Sequence, residues 1–156
     1  MSRFILALLA LLALTASAAF SHDYTRGPLA IGHPWSRPTA PGVPVGVAYL
    51  SITNSGPTEE VLLGARSPAA ARVELHQTLV SEGMARMRPL AQIAIAPGAT
   101  VRIVPGGIHL MLFNLKSPLS LGDEVPLTLI FREAGEVDVA IKVEARDSAA
   151  AVSSGR

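Results

Sequence analysis

The sequence has 156 residues, 13 Lys and Arg against 12 Asp and Glu, and no cysteine. That length supports one domain around one core, and a near-neutral chain without a basic run offers no electrostatic footprint for nucleic acid. The lack of cysteine excludes disulfides, thiolate metal sites and the thiolate-ligated copper centres of blue-copper electron carriers.

In chain order, residues 1–19 read as a signal peptide, with the cut expected between 18 and 21. Arg3 is a short basic region, Phe4 to Leu14 is apolar and uncharged, and Ala16-Ser17-Ala18-Ala19 supplies small residues for a peptidase. The apolar run is too short for a comfortable membrane span, and no cysteine follows it to carry a lipid. A periplasmic chain without a membrane anchor after processing is therefore expected. Loss of Arg3 leaves 12 basic against 12 acidic residues. Residues 20–27 are expected to be a flexible N-terminus. If the cut follows Ala19, the mature chain begins Phe20-Ser21-His22. Its amine, two amides and third-position imidazole could then enclose Cu(II) in a square-planar nitrogen set, a weak second site. A cut after Ala18 spoils that chelate.

Residues 28–145 carry short alternating runs divided by turn residues. Candidate strands are 46–54, 60–65, 91–95, 100–104 and 106–114. In Val125-Pro126-Leu127-Thr128-Leu129-Ile130-Phe131 and Val137-Asp138-Val139-Ala140-Ile141-Lys142-Val143 the odd positions are all apolar. Period-two alternation marks half-buried strands, and many short ones between turns imply an antiparallel sandwich or barrel. Ser67-Pro68-Ala69-Ala70-Ala71 predicts a short helical turn capped by Ser67. Residues 146–156 are expected to be a disordered tail. Trp35 is assigned to core or rim packing, His33 to surface or structure, Met84 to core or rim, and Arg86 and Arg88 to a solvated face.

Four residues stand out as a metal-ligand set: His76, Met87, His109 and Met111, drawn from a chain with only four His and four Met. Imidazole suits copper, and thioether sulfur favours Cu(I) over zinc or hard cations. On a strand, positions i and i+2 share a face about 6.6 Å apart, so His109 and Met111 lie on one side while Leu110 and Leu112 point into a core. His76 ends the run Ala71-Arg72-Val73-Glu74-Leu75-His76, in which Val73 and Leu75 face inward. A hairpin about Ser81-Glu82-Gly83 returns Met87 toward His76. A lone His-x-Met would ordinarily be packing, and Met87 alone would be core filler; the set of four carries the argument.

The spacing His-x10-Met-x21-His-x-Met resembles that of the periplasmic copper chaperones of the PCuAC type. Further likeness lies in His33-Pro34-Trp35-Ser36-Arg37-Pro38, Ala48-Tyr49-Leu50-Ser51-Ile52-Thr53-Asn54, Met87-Arg88-Pro89-Leu90, Pro105 to Leu112 and Leu121-Gly122-Asp123. It covers about residues 28–145. Two features depart from that family: Gln77-Thr78-Leu79 follows His76 where many relatives have an extra Met, and the tail carries no His or Met.

The resemblance implies an all-β, cupredoxin-like antiparallel β-sandwich of Greek-key type in a single domain. It also implies a Cu(I)-binding metallochaperone that delivers copper toward cytochrome c oxidase copper-centre assembly. The acceptor would be an oxidase subunit or a thiol-bearing assembly factor, and the chaperone itself a monomer. Copper sequestration or uptake without a dedicated acceptor, and a metal-free β-sandwich interaction module, are the competing readings. Enzyme readings find no support: the sequence has no Gly-x-Ser-x-Gly elbow, no glycine-rich phosphate loop before a helix and no His-Glu-x-x-His.

Overall fold

A computed structural model describes residues 23–145. Residues 1–19, expected to be a signal peptide, His22, and residues 146–156, expected to be a tail, lie outside the described residues. Within them the chain forms eleven strands. These are β1 (Tyr24–Arg26), β2 (Leu29–Ser36), β3 (Val45–Asn54), β4 (Glu60–Arg66), β5 (Ala70–Ser81) and β6 (Met84–Pro89), followed by β7 (Ile93–Ile95), β8 (Thr100–Ile103), β9 (Ile108–Leu115), β10 (Glu124–Phe131) and β11 (Glu136–Val143). The strand order is β6-β5-β9-β8-β3-β2-β11-β10-β4-β7, with further pairings β9–β3 and β5–β4. The β5–β4 contact, Ala65 opposite Val73, closes the ladder on itself. Pairings are antiparallel except β11–β2 and β8–β9, which are parallel. The single-domain all-β sandwich or barrel expected from the alternation is what forms.

The alternation also builds the core. Val125, Leu127, Leu129 and Phe131 of β10 and Val137, Val139, Ile141 and Val143 of β11 are all buried. They meet Ala48, Leu50 and Ile52 of β3 and Leu110 and Leu112 of β9 in one cluster. Each such aliphatic side chain contributes about 1.5–3 kcal/mol on burial. The strands β5 and β9 that border the candidate site are therefore anchored by their opposite faces.

Two irregularities matter for placement. Ser81 pairs with Met84 across Glu82 (φ 51°) and Gly83 (φ 77°). Positive φ at both central residues is the signature of a tight type I′ hairpin, whose twist suits the flanking strands and fixes their register. In β2 the register shifts between Gly32 and Trp35, so His33 and Pro34 together face Leu50. His33 adopts φ 44° in this bulge.

Two expectations are corrected. Residues 24–26, assigned to a flexible terminus, form β1, because they pair with Leu29–Ile31 and the Tyr24 hydroxyl accepts the Ala140 N–H at 3.0 Å. Ser67–Ala71 is not a helical turn. The Ser67 hydroxyl does accept the Ala69 N–H at 3.2 Å, as a cap would, but Ala70 enters β5 opposite Leu115 and ends the turn.

Glu60 is a buried carboxylate at 6% exposure. Its oxygens accept N–H bonds from Val61 (2.8 Å), Glu133 (3.0 Å) and Ala134 (2.9 Å), tying β4 to the β10–β11 turn. Burial pushes its pKa up, but the backbone N–H groups outweigh that and hold it below the ordinary value. A depressed folded-state value means a contribution present above the unfolded pKa and lost as pH falls through the folded one. Chemical denaturation should therefore show Glu60→Ala less stable by about 1–3 kcal/mol at neutral pH. Acid should also destabilise the wild type more steeply than Glu60→Gln; parallel acid profiles would show that the carboxylate charge contributes nothing.

Candidate metal centre

The register of three adjacent strands assembles the four predicted residues on one face. In the β5–β9 ladder His76 lies opposite His109 and Glu74 opposite Met111. Across the β5–β6 hairpin Thr78 lies opposite Met87 and His76 opposite Pro89. Alternation then sets Glu74, His76, Thr78, Met87, His109 and Met111 on the outer face. Leu75, Leu110 and Leu112 occupy the inner face at 3%, 0% and 0% exposure. The imidazole ring centroids are 6.0 Å apart. Met87 sits diagonally from His76 rather than directly across, and its side chain is 62% exposed.

The imidazoles have unusual hydrogen bonding. His109 is buried, and its Nδ1 lies 3.1 Å from the Gly107 carbonyl. A carbonyl only accepts, so the proton is on Nδ1 and the lone pair on Nε2. That Nε2 is buried with no partner. The Nε2 of His76 lies 2.9 Å from a Glu74 carboxylate oxygen, which places its proton on Nε2 and its lone pair on Nδ1. Nδ1 too is buried and unpartnered. A buried polar atom without a partner costs roughly 1–3 kcal/mol. Two lone pairs left bare on directly paired residues are what a metal ion would satisfy. Among the described residues no three His, Cys, Asp or Glu side chains converge on a common point.

The neighbours of His76 escaped the sequence reading. Glu74 also accepts from Arg72 Nε at 2.7 Å, and the Arg72 guanidinium lies 4.3 Å over the Phe113 ring. Hydrogen bonds from His76 and then Arg72 hold the Glu74 carboxyl below its usual range. The sequence signal was present: Arg72-x-Glu74-x-His76 places all three on one strand face. Across the ladder, Val47 of β3 is opposite Met111, and Tyr49, two residues on, shares its face. Tyr49 packs on Trp35 with centroids 4.7 Å apart, and Arg37 lies 5.8 and 5.9 Å over the two rings. Trp35 is thus a buried packing residue beside this face.

The other candidates fall elsewhere. His33 Nε2 contacts a Glu144 carboxylate oxygen at 3.1 Å, away from the four donors. Met84 is 53% exposed, which makes it a rim residue. Arg86 and Arg88 are exposed on the face of β6 opposite Met87. A cavity of about 190 Å³ lined by His33, Trp35, Leu50, Arg102 and Val104 contains none of the donors, so it is not the metal centre.

The all-β domain fold is shared with solved PCuAC domains. A copper-bound PCuAC domain from PmoF2 superposes with TM-score 0.69 at 29% identity, covering 80% of this chain and 98% of that one. The CuI-DR1885 protein of Deinococcus radiodurans does so with TM-score 0.60 at 30% identity, covering 74% and 77%. Residues 29–143 match the family described as "Putative lipoprotein LpqE-like", and the chain belongs to that family. Among curated relatives, "Putative lipoprotein Lxx21020" of Leifsonia xyli subsp. xyli is 33% identical over 106 residues, covering 67% of this chain and 64% of that protein. "Uncharacterized protein RP573" of Rickettsia prowazekii is 29% identical over 114 residues, covering 70% and 63%. The chain thus matches less than two thirds of the length of these curated relatives.

Exposure separates Met87 from the fold residues on the reverse face. Met87→Ala should change unfolding free energy by less than about 0.5 kcal/mol, whereas Leu110→Ala on the reverse face should cost about 2–5 kcal/mol. Urea denaturation of both variants checks this; a Met87→Ala loss comparable to the Leu110→Ala loss would make Met87 a packing residue.

Proposed function

We propose that the protein is an exported Cu(I)-binding metallochaperone that holds one ion through His76, Met87, His109 and Met111. The observation that carries this reading is the pair of bare, buried imidazole nitrogens on directly paired residues, with a thioether on each flanking strand. The donor chemistry supports Cu(I), because half the set is soft sulfur. Similarity to PCuAC domains, one solved with copper and one with Cu(I), supports the same cargo.

The donors differ in how deeply they are set. His109 is 4% exposed, the His76 side chain 14% and Met87 62%. His109 anchors the ion, and Met87 is the donor an acceptor's ligand can displace first. All four donors are neutral, so the ion keeps its single charge and no thiolate holds it. Release by stepwise ligand exchange follows from that donor set. The recipient in this reading is a copper-centre assembly partner of cytochrome c oxidase, either an oxidase subunit or a thiol-bearing factor. The exposed position of Met87 favours transfer over plain sequestration.

Anaerobic titration should give one Cu(I) per chain. Met87→Ala combined with Met111→Ala should weaken Cu(I) far more than Cu(II). An equal loss for both oxidation states would remove the thioethers from the site. Both imidazoles must also be neutral to bind, so protons compete with the metal. Copper retention should fall between about pH 7 and about pH 4; constant occupancy over that range contradicts a histidine-dependent site.

A further inference from the structure

The inference concerns the groups that hold His76, and it rests on the Cu(I) reading of the site. Of the four donors, His76 has the most elaborate support. Its Nε2 donates to one Glu74 oxygen at 2.9 Å, and Arg72 Nε donates to the other at 2.7 Å. Arg72 in turn lies 4.3 Å over Phe113, whose ring centroid is 6.0 Å from that of His76. Arg72 pairs with Phe113 in the same ladder in which His76 pairs with His109. The four side chains therefore form a closed ring anchored on two strands.

We propose that Glu74 is a positioning residue for the metal site: its carboxylate fixes His76 as the Nε2–H tautomer, so that bare Nδ1 is the atom that ligates Cu(I). The chemistry is general. A ligating histidine ordinarily donates its other ring N–H to a carboxylate or carbonyl, which orients the ring and raises the basicity of the ligating nitrogen. His109 does the same through the Gly107 carbonyl at 3.1 Å, with the nitrogens reversed. The two imidazoles would thus ligate through different atoms, Nδ1 of His76 and Nε2 of His109. Glu74 also places a negative charge on the same face as an ion that its four ligands would leave positive, and Arg72 holds its second oxygen at 2.7 Å.

Long-range 1H–15N NMR of the histidine rings, recorded near pH 8 where imidazoles are neutral, tests this in apo and Cu(I)-loaded protein. The metal-free wild type should show His76 protonated at Nε2 and bare at Nδ1. Glu74→Ala should show mixed tautomers at His76 and no change at His109. Glu74→Gln keeps a single acceptor oxygen, which Arg72 occupies, and turns its amide N–H toward His76, so it should favour the Nδ1–H form. Adding Cu(I) should shift Nδ1 of His76, and Glu74→Ala should bind Cu(I) about 10- to 100-fold more weakly. The proposal is overturned if Glu74→Ala leaves either tautomer or affinity unchanged, if Glu74→Gln keeps the Nε2–H form, or if Cu(I) shifts Nε2 more than Nδ1. Because Glu74 is partly exposed, neither variant removes a core contact. A wild type that takes up no Cu(I) defeats the chaperone reading instead, and the metal-free tautomers are still measured.

Discussion

The site depends on the antiparallel register of β5 against β9. One pairing, His76 opposite His109, decides which side chains can meet. Because strand side chains alternate, a slip of one residue in β5 would turn His76 into the core and bring Leu75 out, and a slip in β9 would do the same to His109 and Leu110. The core prevents that slip: Leu75, Leu110 and Leu112 are buried behind the site, and exposing them would forfeit several kcal/mol. The candidate metal face therefore borrows its precision from the hydrophobic face behind it. The hairpin turn at Glu82-Gly83 extends the same control to β6, since its length sets Met87 against Thr78.

On this frame the donors are graded by depth. The inner imidazole is buried and its tautomer set by a backbone carbonyl. The second is half-buried and set by a carboxylate, which an arginine holds in turn. The outermost thioether stands in solvent on a strand whose six residues are all exposed. A resident cofactor would favour enclosure on every side. An ion that must be passed on favours a rigid base and one reachable ligand, and this gradient has that form.

Much of this was legible from residue order, because period two is a strong signal where one face is buried. Leu110 and Leu112 had to point inward, which forced His109 and Met111 outward together. The Ser81-Glu82-Gly83 turn announced the hairpin. Other parts were hidden for identifiable reasons. Nothing local predicts the pairing partner of a strand, so the direct opposition of His76 and His109 could not be read, nor could the closure of β4 on β5. Glu74 carries no local signal of its role, which shows only in its two hydrogen bonds. The bulge at His33-Pro34 and the short strand β1 are set by tertiary contacts with β3, β11 and the body of the sheet. Ser67 behaved as the cap it resembles, but pairing of Ala70 with Leu115 overrode the helical tendency of the alanines that follow.

The central claim is that one Cu(I) is held by both imidazoles and both thioethers. X-ray absorption at the copper edge of the anaerobically loaded protein measures that shell directly. The account predicts a Cu(I) edge with two nitrogen and two sulfur scatterers, and one sulfur lost in Met111→Ala. A shell made only of nitrogen and oxygen would contradict it.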